Sequence, residues 1–151
     1  MCGIAGYITC APEDVRQEIL SGFYEAMEEI QLRGRDATGI AFINKKKEIE
    51  YCRAPLKAEE FIQRTDVREL IEEANPSIMI GHCRQGTTGT ELKNVNNHPI
   101  LMKQGGKVTA ALIHNGTISN HRTFTEFNSM REGEVDSEVI VLAWHKGFQQ
   151  G

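Results

Sequence analysis

Met1-Cys2-Gly3-Ile4-Ala5-Gly6 opens the chain, and the role of its second residue decides which fold to expect. Cysteine is small enough for the initiator methionine before it to be trimmed, and trimming leaves Cys2 with a thiol and a free α-amine. A nucleophile and a base on one residue is the arrangement of enzymes with an N-terminal nucleophile. Free α-amines titrate at about 7.7–8.0, so such a group can take up a thiol proton and return it. The same cysteine also fits a small apolar residue opening a buried strand. Other segments must choose between these.

The 151 residues are 40% hydrophobic and 25% charged, the profile of one soluble globular domain with a core of its own. A net charge of −4 gives no reason to expect nucleic acid or an anionic membrane as partner. No apolar run approaches the ~20 residues of a membrane span. The four cysteines, Cys2, Cys10, Cys52 and Cys83, form no CxxC pair and no zinc-like spacing, and no cleavable signal precedes them. The expectation is a reducing, cytoplasmic setting with free thiols, no metal and no cofactor.

Ile4 to Thr9 reads as a short buried strand, with Gly3 and Gly6 allowing close backbone approach. Pro12, Glu13 and Asp14 open a predicted helix with Val15, Ile19, Phe23, Met27 and Ile30 on its apolar face, ending near Leu32. A polar loop from Arg33 to Gly39 leads to Ile40–Ile43, which pairs with Ile49–Cys52 across a Lys45-Lys46-Lys47 turn. Lys57 to Ala74 is helical, with Thr65 capping a second helix and Asn75-Pro76 stopping it. Ser77–Ile80 is a strand that delivers Gly81-His82-Cys83-Arg84 at its end. Residues 85–99 read as a long surface loop, and Lys107–Ile113 as a strand ending in His114-Asn115-Gly116. A short helix over Thr123–Met130 turns Phe124 and Phe127 inward. A last helix over Asp136–Lys146 has Ser137 and Glu138 near its first turn and Val139, Ile140, Leu142 and Ala143 as its apolar content.

Four of these segments carry complementary chemistry. A thiolate attacking a carboxamide builds an oxyanion that needs two aimed donors, and an asparagine side chain followed by a glycine N–H can supply both (Asn115, Gly116). Arg84 offers a fork for a carboxylate and Asp136 a counter-charge for an ammonium. An amino-acid amide such as glutamine has all three groups.

The stretches MCGIAGY, RGRDATGIAF, GHCRQGTTG, NNHP, HNGTISNH and VDSEVI cover the chain almost end to end. In this order they resemble the class II glutamine amidotransferases, the Ntn-hydrolase glutaminase domains, and most closely those of the glucosamine–fructose-6-phosphate aminotransferases. The resemblance implies an α+β fold, an αββα four-layer sandwich of antiparallel sheets in truncated or minimal form. It implies hydrolysis of L-glutamine through a thioester on Cys2, with Asn115 and Gly116 as the oxyanion hole. Arg84 and Asp136 would hold the α-carboxylate and α-ammonium, and Thr87 would line the pocket. Arg33 and Asp36 match a loop expected to support the Cys2 terminus. His98 is expected to be structural, and His82 and His114 are expected to point away from the site by strand alternation. Where that family has Arg-Trp-Ala-Thr-His-Gly, this chain reads Arg84-Gln85-Gly86-Thr87-Thr88-Gly89. The family's domain continues beyond its VDSEVI helix, so residues 1–151 are expected to be one glutaminase domain lacking its last strands and any synthase domain. The ammonia would then go to an acceptor-binding synthase domain or subunit, and an uncovered sheet edge would favour pairing with a second copy. The alternatives are a non-catalytic glutamine-binding or assembly module and an N-terminal-nucleophile hydrolase of another amide.

Overall fold

The computed structural model describes the backbone of residues 1–150 and side chains up to residue 147. A four-stranded antiparallel sheet is built from β1 (Gly3–Ile8), β2 (Ala37–Ile43), β3 (Ile49–Ala54) and β4 (Ile78–Arg84), in the order β1-β4-β2-β3. One face is covered by α1 (Arg16–Ile30), α2 (Ala58–Phe61) and α3 (Thr65–Ala74). Strand alternation sends Ile40, Phe42, Met79 and Cys83 into that layer, where they meet Phe23, Met27, Phe61 and Ile71. A second antiparallel pair, β5 (Ile100–Gln104) and β6 (Lys107–Leu112), packs with α4 (Glu138–Gln150) around Met102, Ala110, Val139 and Leu142. Antiparallel sheets with segregated helices make this an α+β chain, and the second sheet has two strands among the described residues. No helix among them is long and apolar enough to cross a membrane.

Several expectations need correction. β1 is an edge strand, not a buried one: among the described residues it pairs only with β4, and Ile4 and Ile8 remain 50% and 77% exposed. α1 begins at Arg16 after a turn in which the Val15 N–H bonds the Pro12 carbonyl. Its buried stripe is Leu20, Phe23 and Met27, while Val15 is exposed. Thr65 is the first residue of α3 and not its cap; Arg64 occupies the capping position without a side-chain bond. Residues 37–39 belong to β2, which is buried along nearly its whole length because it lies inside the sheet. The 125–130 segment is a 3-10 helix in which Phe127 is buried as expected, while Phe124 just before it is half-buried and stacks on Phe127. In α4, Ala143 is exposed and Val141 takes its place inward.

β5 was not expected, yet its signal is present. Gly105 and Gly106 both have positive φ, at 58° and 79°, which a two-residue hairpin turn requires. The 85–99 segment is not simply a surface loop either. It contains a 3-10 turn, Asn94–Asn96, and Asn96 and Asn97 are 0% exposed.

Close packing makes Gly39 indispensable: a Cβ there would lie 2.1 Å from the His98 carbonyl oxygen. Gly22, within α1, faces open space. Gly39→Ala is therefore expected to destabilise the chain by about 1–3 kcal/mol through overpacking. Gly22→Ala is expected to stabilise it by about 0.5–1 kcal/mol through helix propensity. Urea titrations of the two variants beside the parent check both signs.

Candidate active site

Cys2, Arg84, Thr87, Gly116 and Asp136 come from four separated segments and line one small cleft. β4 carries Arg84 at its last position, and Cys2 lies just before β1, whose Gly3 pairs with Cys83 of β4. The Gln85 N–H donates to Cys2 Sγ at 3.4 Å, and the thiol lies 3.6 Å from the Gln85 carbonyl. Asn115 is exposed and stands between two cleft residues without lining the cleft itself.

The loop after β4 is held from beneath. Asp36 accepts hydrogen bonds from the Gly86 N–H at 2.6 Å and from Gln85 Nε2 at 3.1 Å. Gly34 lies so close that a Cβ would sit 2.4 Å from the Arg84 carbonyl carbon. Arg33 Nε donates to the Cys2 carbonyl at 3.2 Å. Arg33 thus contacts the Cys2 backbone, whereas Asp36 contacts the loop that faces the Cys2 sulfur.

Arg84 is 4% exposed, and its guanidinium donates to Thr88 O, Gly89 O and Asn97 Oδ1 at 2.6, 2.7 and 3.0 Å. Burial lowers its pKa. All three acceptors are neutral, so its positive charge is not cancelled within this cage. Asp136, which also lines the cleft, accepts the Ile118 N–H, and Glu138, just beyond the lining residues, accepts the N–H groups of Glu132 and Gly133.

The chain is 31% identical over 145 residues to the isomerizing glutamine–fructose-6-phosphate aminotransferase of Vibrio vulnificus, covering 93% of this chain and 21% of that protein. It is 31% identical over 155 residues to its counterpart in Geobacillus kaustophilus, covering 100% of this chain and 23% of the relative. Human glutamine–fructose-6-phosphate aminotransferase 2 is 28% identical over 153 residues, covering 93% and 22%. The chain is a relative of their glutaminase domain. It spans about a fifth of the length of the curated relatives it matches. No protein-family model matches it.

In this relative of the aminotransferase glutaminase domain, the histidines are closer to the site than strand alternation suggested. His98 and His114 line the cleft with Cys2. His114 lies beyond the end of β6, so alternation does not apply to it. His82 and Arg84 are two residues apart on β4 and therefore share a face. The His82 and His98 rings stack 4.1 Å apart, both deeply buried. His82 Nε2 lies 3.2 Å from the His114 carbonyl, and because a carbonyl only accepts, Nε2 carries the proton. Among the described residues, His82 Nδ1 and both ring nitrogens of His98 have no hydrogen-bond partner. Neither NxHP nor HNG spacing announces these contacts; they arise where the two sheets meet.

Burial is the leading cause that lowers the His82 pKa to about 4, opposed by its bond to the His114 carbonyl. Burial also leads for His98, with the neighbouring His82, His114 and Arg84 adding to it, and takes its pKa down to about 2. Both rings are neutral when folded and gain protons on unfolding below about pH 6.5. Stability contributed by their neutrality is full above that pH and falls as pH drops toward the folded values. The expected loss between pH 6.5 and 4 is about 1.4 kcal/mol per pH unit for each ring. Urea midpoints at pH 7 and pH 5, with His98→Gln as the comparison, test this; equal loss in parent and variant would assign the effect elsewhere.

Proposed function

We propose that this chain is a class II glutamine amidotransferase domain of the Ntn-hydrolase type, releasing ammonia from L-glutamine through a Cys2 thioester. The observation that carries the reading is the shared cleft: thiol, guanidinium, glycine amide and carboxylate come together from distant segments. The similarity to aminotransferases named for glutamine supports the substrate class. Arg84 and Asp136 offer charges complementary to an α-carboxylate and an α-ammonium, which favours an amino-acid amide over other amides.

The mechanism begins with removal of Met1. The freed α-amine of Cys2 takes the thiol proton, and Sγ bonds to the amide carbon while the carbonyl electron pair moves onto oxygen. Gly116 N–H and the Asn115 side chain, turned inward, stabilise that oxyanion. Its collapse breaks the carbon–nitrogen bond, and the departing nitrogen takes the stored proton and leaves as ammonia. Water activated by the same amine then attacks the thioester, giving glutamate and restoring the thiol. Arg33 and Asp36 support the terminus and the facing loop. The ammonia passes to an acceptor such as a sugar phosphate, bound by a synthase domain or a separate subunit.

Incubation with glutamine is expected to release ammonia, and Cys2→Ala is expected to abolish this. Glutamine binding without turnover would favour a sensing module instead. Asn115→Ala should lower kcat by about 10²–10³, the effect of losing one oxyanion donor. Intact mass should be that of a chain lacking one methionine. Retained Met1 in an active protein would overturn the α-amine as base.

A further inference from the structure

We infer that His114 and Ser137 are positioning residues of the oxyanion turn, with Ser137 holding the His114 ring against the Gly116 backbone. The inference rests on the glutaminase reading of the cleft and adds a link between its two ends. β6 stops at Leu112, so no strand ladder fixes His114-Asn115-Gly116. Asn115 and Gly116 are themselves exposed. A turn in that situation would leave its amide direction to chance, and oxyanion stabilisation depends on donors aimed beforehand.

Three contacts remove that freedom. The His114 carbonyl accepts from His82 Nε2 at 3.2 Å. The other side of the turn is fixed by the Ile118 N–H, which donates to Asp136 Oδ2. Between them, His114 Nδ1 lies 3.0 Å from Ser137 Oγ. The held ring then backs Gly116 directly: a Cβ there would sit 2.6 Å from His114 Nε2. Gly116 is not among the glycines with positive φ. Its need for glycine is therefore one of space, because the imidazole occupies the volume a side chain would take.

Asp136 and Ser137 are consecutive, and they grip the turn on both sides of Gly116. Asp136 is also the proposed partner of the substrate ammonium. Seating that ammonium thus acts on the same short segment that orients the Gly116 amide. A correctly held amino group aligns the oxyanion donor, and an amide without one meets a less ordered turn. This is binding energy expressed at the reacting carbon, not in affinity alone.

Ser137→Ala removes the latch without adding bulk, and Ser137→Thr keeps its hydroxyl. In glutamine hydrolysis by the Met1-processed chain, Ser137→Ala should lower kcat about 10- to 100-fold, as expected for a misplaced reacting geometry. KM should stay within about twofold, and Ser137→Thr should recover most of the loss. The Gly116 amide resonance in a ¹H–¹⁵N spectrum should shift in Ser137→Ala and return in Ser137→Thr, with or without substrate. Unchanged kcat in Ser137→Ala, a defect confined to KM, or no recovery by threonine would overturn the inference. The amide shift reads the latch independently of turnover. An inactive parent with a Gly116 amide that still follows Ser137 would therefore refute the glutaminase reading and uphold the latch; an unmoved amide would refute the latch.

Discussion

The buried guanidinium of Arg84 imposes the arrangement around it. It ends β4, an inner strand of the larger sheet, and a cation there must be surrounded by acceptors. Thr88 O, Gly89 O and Asn97 Oδ1 supply them, which obliges residues 85–97 to curl back over the end of the sheet. Asn97 can serve because its own amide is committed to Glu91 O and Asn94 Oδ1. Asn96 extends the network by bonding Thr90 O and both the side chain and the backbone N–H of Glu134. Asn96 and Asn97 are buried as a result, each with its side-chain amide bonded within this network, while residues 85–95 stay partly or fully exposed over them.

This curled segment joins the two halves of the fold. Its last residues carry His98, whose carbonyl presses on Gly39 of β2 and whose ring stacks on His82 of β4. From the other side, the turn after β6 and the residues before α4 meet the same region through the His114 carbonyl and Ser137. Arg84 at the end of β4 and Cys2 just before β1 thus come from the larger-sheet side, and Gly116 and Asp136 from the smaller unit. Their meeting depends on a seam of neutral imidazoles. Neutral rings pack there without the desolvation cost of charge, so the cleft geometry and the acid sensitivity of the fold share one origin.

Much of this was legible in the residues. The β2–β3 hairpin follows from two apolar runs around the lysine turn, and Asn75 ends α3 in the left-handed conformation at φ 41°. The missed β5 was recoverable from Gly105-Gly106 between apolar segments. Helix details were less accessible. Arg64 caps α3 geometrically while pairing its side chain with Asp66, and Leu20 replaces Val15 on the buried face of α1. Local cap preference favours Thr65 over Arg64, and packing against the sheet overrides it.

By itself the sequence determined the chemical inventory: a cysteine behind Met1, an arginine after an apolar strand, an Asn-Gly pair and an aspartate before a helix. It also determined the order of the helices and of every strand but β5, because hydrophobic periodicity is a local property. Only the tertiary structure decided which of these groups share a cleft, that Arg84 is caged by neutral acceptors, and that His114 and Ser137 stand behind Gly116. Those outcomes depend on distances between residues far apart in the chain. Motif spacing does not encode such distances; the packing of two sheets, with every buried polar group seeking a partner, does.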